Sequence, residues 1–297
     1  MTRSSSLKSD GTLYSVGSFD EVSQSTISES ETAIKSNEFD EITISPLTNG
    51  LVKRQTRDGK LLVANEFDEI TKASVTDSLF LHLDTAENAS YPGSGSTWYD
   101  LSGNERNATL YSTPTFKNEN GGVLNFDDDS GEYAETANVP DLNTWTVETW
   151  VKFTAAIGSK VTAIVCNQFN NLSNKLNYSI GTNNAPSNYN ITAGFFDGAW
   201  HNVTGFAAST NTWYHFVGTY TGTVLKFYVN GSENGTLNYT GTSSSGGTIR
   251  IARRWDGTAI KGNLIDGDVP LVRIYSRALN AAEVLQNYNA TKSRYGL

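Results

Sequence analysis

The chain has 297 residues, a formal net charge of −9 and one cysteine. That charge excludes a nucleic-acid partner, which needs clustered Lys and Arg, and an anionic membrane surface, while the lack of a long apolar run excludes membrane insertion by a spanning helix. Cys166 cannot form an internal disulfide, and the start Met1–Lys8 lacks the apolar stretch of a signal peptide, so synthesis in a reducing cytoplasm is expected.

Residues 1–77 hold only four aromatics, Tyr14, Phe19, Phe39 and Phe67. So little bulky apolar surface can hardly offset the entropy of ordering such a segment. A phrase recurs in it three times: Phe19-Asp20-Glu21-Val22, Phe39-Asp40-Glu41-Ile42 and Phe67-Asp68-Glu69-Ile70. Asp10-Gly11 and Asp58-Gly59 precede the first and last copies at equal spacing, and Asp-Gly is a hairpin signal. Each unit therefore reads as a turn, a short strand anchored by Leu13 or Leu61, and a second strand ending in Phe and Ile or Val. One reading is a flexible acidic leader. The other is an attachment arm in which Phe19, Phe39 and Phe67 dock onto a partner or onto further copies of the chain, since repeats that cannot bury their faces alone stack on a neighbour.

All six Trp residues lie beyond residue 77: Trp98, Trp145, Trp150, Trp200, Trp213 and Trp255. From Ser78 to the end the pattern is strand, turn, strand. Leu79, Leu81 and Leu83 alternate with Phe80 and His82. Trp145, Val147, Thr149 and Val151 alternate with Thr146, Glu148, Trp150 and Lys152, which predicts a buried Trp145. Two strand patterns flank Thr221-Gly222-Thr223 as a hairpin, and Asn230-Gly231 marks another turn. Near the end, Asn280 with Glu283 makes a capping box before the apolar positions Val284, Leu285 and Tyr288, which predicts one short helix. Dense short strands of this kind indicate an all-β sandwich.

Several blocks also resemble a known family. Ala89-Ser90-Tyr91-Pro92-Gly93 through Thr97-Trp98-Tyr99-Asp100-Leu101-Ser102-Gly103-Asn104 resembles the opening of laminin G-like jelly-roll domains found in bacteriophage and bacterial proteins. Gly122–Asp127, Trp145–Val151, Trp213–Val217 with Leu225–Gly231, and Val272–Leu279 with Glu283 resemble its later strands, hairpin and closing helix, in order. The resemblance spans about three-quarters of the chain and implies a concanavalin A-like jelly roll over residues 78–297, preceded by the arm at 1–77. The chain departs from the family pattern at Asp127-Asp128-Asp129, near where Asp-Gly and a paired acid are usual, and at Ile265, where an aromatic is usual.

Candidate sites are few. His82, His201 and His215 are scattered, and neither metal-ligand spacing, a nucleophile elbow nor a phosphate loop occurs. His82 and His215 fall in strand patterns and read as structural, as does Cys166. The acidic loop Asp127, Asp128, Asp129 with Glu132 offers the hard oxygen ligands that Ca²⁺ takes; a solvated turn is the alternative. Two loops set a Trp among Gly and charge, as sugar-binding surfaces do: Phe196-Asp197-Gly198-Ala199-Trp200-His201-Asn202, with Trp200 and His201, and Arg253-Arg254-Trp255-Asp256-Gly257, with Arg254, Trp255 and Asp256. These features give the functional expectation of a non-enzymatic virion structural protein of a bacteriophage. It would be made in the host cytoplasm as a capsid decoration or fibre-like component, anchored through its arm to other virion proteins and to itself. The lectin-like sandwich would then face outward for adhesion to glycans or a host surface. The alternative is a carbohydrate-binding module of a cell-surface or secreted protein.

Overall fold

The computed structural model describes residues 74–297 except 158–161, 169–175, 183–189, 242–246 and 255–264, and within the first 72 residues it describes seven strands. The chain divides into two units, Met1–Lys72 and Ala73–Leu297.

In the first unit, β1 (Ser5–Leu7), β2 (Thr12–Val16) and β3 (Val22–Thr26) form one antiparallel sheet. A second contains β4 (Glu31–Ser36), β5 (Ile42–Pro46), β6 (Leu51–Gln55) and β7 (Leu61–Asn65). β1 pairs with β2 on either side of Asp10-Gly11, and β6 with β7 on either side of Asp58-Gly59. β3 begins at Val22 and β5 at Ile42, and the three Phe-Asp-Glu phrases lie outside the described residues. The proposed anchors Phe19, Phe39 and Phe67 lie outside the described residues.

The second unit holds the strands β8 (Leu79–Asp84), β9 (Thr97–Trp98), β10 (Ala108–Tyr111), β11 (Thr115–Lys117), β12 (Val123–Phe126) and β13 (Tyr133–Asn138). They are followed by β14 (Trp145–Phe153), β15 (Ala163–Gln168), β16 (Leu176–Thr182), β17 (Ile191–Phe196) and β18 (Trp200–Asn202). The last are β19 (Trp213–Tyr220), β20 (Val224–Val229), β21 (Ser232–Asn238), β22 (Thr248–Ile251) and β23 (Gly267–Tyr275). The first sheet runs β18-β17-β16-β15-β22-β13-β10-β9, and the second runs β11-β12-β23-β14-β19-β20-β21 with β8 also paired to β23. Strand β22 lies between β15 and β13, so the chain crosses back between the sheets as a jelly roll does.

The core lies between the sheets. Trp98, Trp145, Tyr178, Phe195, Phe216 and Phe227 are buried there, with Trp145 only 1% exposed. Strand β14 is buried on both faces, not one. Its outward residues Glu148 and Trp150 are covered by the closing helix α1 (Ala281–Thr291), which starts at the expected capping box of Asn280 and Glu283. Beneath the helix, Glu148 accepts from His215 Nε2 at 3.1 Å, Arg273 at 3.1 Å and Asn287 at 2.6 Å. Burial alone would raise the Glu148 carboxyl, but the Arg273 charge and these donors outweigh it and hold it near about 2. Asn287 also accepts from the backbone N–H of Val75 at 2.8 Å, and Tyr275 donates its hydroxyl to the Val75 carbonyl at 3.0 Å. Val75, three residues before Ser78, is thus tied to the closing helix and β23. In the opening motif, Asp100 accepts from the backbone of His82, Ser102 and Arg106, so its residues build a self-satisfied turn against β8. Among the described residues, no helix is long and apolar enough to cross a membrane.

Candidate functional site

Alternation along the strands of the first sheet sends Ala134, Ile249 and Ile251 into the core and Tyr133, Glu135 and Arg250 to the outer face. Glu135 and Arg250 are register partners, and the Glu135 carboxylate accepts from Arg250 Nε at 2.6 Å. Arg250 also donates to Gln168 at 2.9 Å, which positions its guanidinium across β15. Tyr111 on β10 lies opposite Tyr133 on β13, and the two rings stack with centroids 4.5 Å apart at 7°. Arg253 places its guanidinium 4.2 Å above the Tyr133 ring, and Arg254 sits 4.2 Å from the ring of Trp200. Trp200 packs on the same face with Phe196, Leu176 and Cys166. Burial pushes the Cys166 thiol up to about 11, and it donates to the Arg253 carbonyl at 3.4 Å, as an inert anchor would.

The turn that aims the two arginines is strained. Ala252 has φ 64°, in the left-handed region, directly after β22. Its N–H donates to Ile164 and its carbonyl accepts from Ile265, so the surrounding backbone holds the conformation.

A second polar group lies at the β17–β18 hairpin on the opposite face of the sheet, since His201 pairs with core-facing Phe195 while Trp200 pairs with Phe196. Asp197 accepts from His201 Nε2 at 2.7 Å and from the Tyr239 hydroxyl at 2.8 Å, and His201 stacks on Tyr239 at 3.5 Å. Burial would raise the Asp197 carboxyl; the hydrogen bonds from Tyr239 and His201 outweigh it and lower it below its ordinary range. The hairpin closes tightly over Gly194. A Cβ there would run into the Asn202 side chain and lie 2.7 Å from the His201 carbonyl.

Of the residues expected from sequence, the structure brings Trp200 and Arg254 together on the outer face and turns His201 to the core side of the hairpin; Trp255 and Asp256 lie outside the described residues. The acidic loop is tied to itself. Asp127 accepts from Asp129 N–H at 2.8 Å, and Glu132 accepts from Asp127 N–H at 2.9 Å. Asp128 donates its N–H to Asp266 at 2.9 Å. Asp127, Asp128 and Asp129 therefore form a hydrogen-bonded turn, and among the described residues no three His, Cys, Asp or Glu side chains assemble as a metal cluster. His215 is sealed under the helix, as its strand position suggested. Sequence reasoning missed Tyr111, Tyr133 and Tyr239, whereas Asp197 and Arg253 stood in the two loops it had singled out. Only the period-two pairing of Tyr133 with Glu135 carried a signal for that face.

On this face Tyr111 is exposed and Tyr133 and Trp200 are half-buried, while Arg250, Arg253 and Arg254 are buried against them. A family model described as the concanavalin A-like lectin/glucanases superfamily matches residues 126–285, more than half of the chain. The chain belongs to this superfamily. Its sandwich is similar to solved members of this broad fold. One is domain 4 of AbnA, a GH43 extracellular arabinanase from Geobacillus stearothermophilus, in complex with arabinotriose. That match has 17% identity and a TM-score of 0.54, covering 71% of this chain and 98% of that one. Another is the binding domain of Paraclostridial Mosquitocidal Protein 1, at 16% identity and a TM-score of 0.55, covering 72% of this chain and 52% of that one. The binding domain of botulinum neurotoxin DC in complex with rat synaptotagmin II matches at 16% identity and a TM-score of 0.54, covering 73% and 52%. The lectin-like sandwich thus spans about half the length of the toxin binding domains and nearly all of the arabinanase domain. No curated protein matches the chain by sequence.

Proposed function

We propose that this lectin-like sandwich is a non-catalytic glycan-binding module that serves adhesion. The observation that carries the proposal is the half-buried Trp200 ring on the outer face of the first sheet, with the Arg254 guanidinium over it. An aromatic plate beside fixed polar groups is what a sugar ring needs: stacking for its apolar face and hydrogen-bond partners for its hydroxyls. The arabinotriose complex of the arabinanase domain supports the reading by showing that a sandwich of this fold can accept a saccharide. A glycan array on the full chain tests it. Binding that is lost in Trp200→Ala, with the melting temperature retained, is the expected result. An array without hits would overturn it.

We further propose that the bearer is a bacteriophage virion structural protein, a capsid decoration or fibre-like component. In this reading the first 72 residues attach it to the particle and to other copies of itself. The support is the thrice-repeated Phe-Asp-Glu phrase, in a unit made of two small sheets, and the resemblance of the sandwich blocks to phage domains. Purified particles containing the chain at a fixed copy number are expected; its recovery only from a cell surface or culture medium would favour a cell-borne module instead.

A further inference from the structure

The first sheet has a second edge, opposite the one that carries Trp200. Its last strand is β9, which closes the Tyr91–Tyr99 stretch of the opening motif. Alternation sends Trp98, Ala108 and Leu110 into the core and leaves Thr97, Thr109 and Tyr111 on the outer face. Thr97 stands opposite Thr109. The Leu110 N–H donates to the Ser96 carbonyl at 2.8 Å, so the pairing runs on and sets Gly95 beside Tyr111. Tyr99 follows the buried Trp98 and is 46% exposed; Tyr111 is 41% exposed. These two are the exposed aromatics among the described residues. They stand two residues from the threonine pair in opposite directions, so about four residues of strand, roughly 14 Å, separate them.

Tyr111 is built as a fixed plate. One face is backed by Tyr133, stacked at 4.5 Å and 7° and itself held by the Arg253 guanidinium at 4.2 Å, so little freedom remains to be lost on binding. Beside Tyr111 the backbone leaves a gap: Gly95 has φ 104°, and a Cβ there would meet no atom within 4 Å. Between the two rings the paired positions are Thr97 and Thr109, and the same register sets Asn107 alongside Tyr99. None of these residues carries a charge. A protein partner would bury a more continuous apolar core. Two separated rings with hydroxyls and an amide between them fit a chain of sugars, whose ring faces are apolar and whose edges are hydroxyls.

We propose that the β9–β10 edge is a second saccharide contact, which takes a neutral, linear polysaccharide with one sugar on Tyr111 over the Gly95 gap and another on Tyr99. The proposal rests on the glycan-binding reading above and adds a site and the class of glycan. The two rings are too far apart for one sugar, which sets the length, and an acidic chain would find no cation between them, which sets the charge. Because Trp200 lies at the opposite edge of the same sheet, a long chain held at one edge raises the effective concentration of its own further sugars at the other.

The test uses the full chain in affinity electrophoresis with linear arabinan, mixed-linkage β-glucan and linear galactan, and with polygalacturonate as the charged comparison. The expected result is retardation by at least one neutral polymer, unchanged between about 50 and 500 mM NaCl. Tyr99→Ala and Tyr111→Ala should each weaken that retardation about three- to tenfold. Tyr99→Phe and Tyr111→Phe keep the rings and should retain most of it. Both side chains are exposed, so all four variants should keep the parent's melting temperature. Short array glycans held at Trp200 should bind the double alanine variant as they bind the parent. Equal retardation of the parent and the double alanine variant, or retardation by polygalacturonate alone, overturns this second contact and leaves the glycan reading standing. No retardation by any polymer also overturns it, and an array without hits in addition overturns the glycan reading itself.

Discussion

His82 makes the sandwich sensitive to mild acid. It lies on β8 opposite Arg273 on β23, and its Nε2 is buried without a hydrogen-bond partner. Burial, then the Arg273 charge, lower its pKa from 6.5 to about 4, against the smaller opposing pull of Asp84, Glu148 and Asp100. The unfolded chain protonates this imidazole near 6.5, and the folded chain resists until about 4. Between those values the unfolded state binds the extra proton, so stability is full above about 6.5 and falls as the pH drops toward 4. At about 1.4 kcal/mol per pH unit the loss approaches 3 kcal/mol, and the ring's partial exposure makes that an upper bound. Urea denaturation of the parent and of His82→Gln at pH 7.5, 5.5 and 4.5 measures it. The parent should lose about 2–3 kcal/mol across the series through this residue, and the variant should lose that much less. Parallel losses in both proteins would refute the assignment of a strained neutral histidine.

The remaining predictions concern packing. Trp145→Ala should cost about 3–5 kcal/mol in thermal or urea unfolding, because its ring is enclosed by Tyr178 and Tyr220. Tyr111→Ala should change stability by less than about 0.5 kcal/mol, since Tyr111 is 41% exposed and stacks at a sheet edge. A chain of residues 73–297 should unfold cooperatively with a β-type circular dichroism spectrum, whereas one starting at Leu79 should melt lower. It lacks Val75, and with it the backbone partners of Asn287 and Tyr275.

The sandwich was legible because its signals are local. Period-two alternation marks the strands, Asn280 and Glu283 cap the helix, and Thr221-Gly222-Thr223 closes the hairpin between β19 and β20. Local pattern failed where a distant element decides burial. Strand β14 reads as half-buried, yet Glu148 and Trp150 are enclosed because α1, more than 130 residues later, lies over them. The same holds for the domain start. Val75 carries no signal of its own, and only the pairing with Asn287 and Tyr275 makes it part of the sandwich.

The site divides along the same line. Trp200 and Arg254 stood out as an aromatic and a cation beside turn glycines, which is a one-dimensional cue. The face they belong to is two-dimensional. Tyr111 and Tyr133 meet as partners of β10 and β13, and Arg253 joins them only because β22 inserts between β15 and β13, a crossover that no alternation pattern encodes. Ala252 then sets the final geometry. A non-glycine residue at φ 64° costs of order 1 kcal/mol or more and persists only where surrounding contacts enforce it. Here the enforcing contacts are two backbone hydrogen bonds, to Ile164 and from Ile265. The strained turn lets two consecutive arginines reach opposite ways, one onto Tyr133 and one onto Trp200. In a regular strand, successive side chains alternate between faces, and one of the pair would have entered the core. The placement of both guanidiniums on one face is therefore a property of the turn, and the strain stored at Ala252 is the physical link between the jelly-roll crossover and the composition of the candidate binding surface.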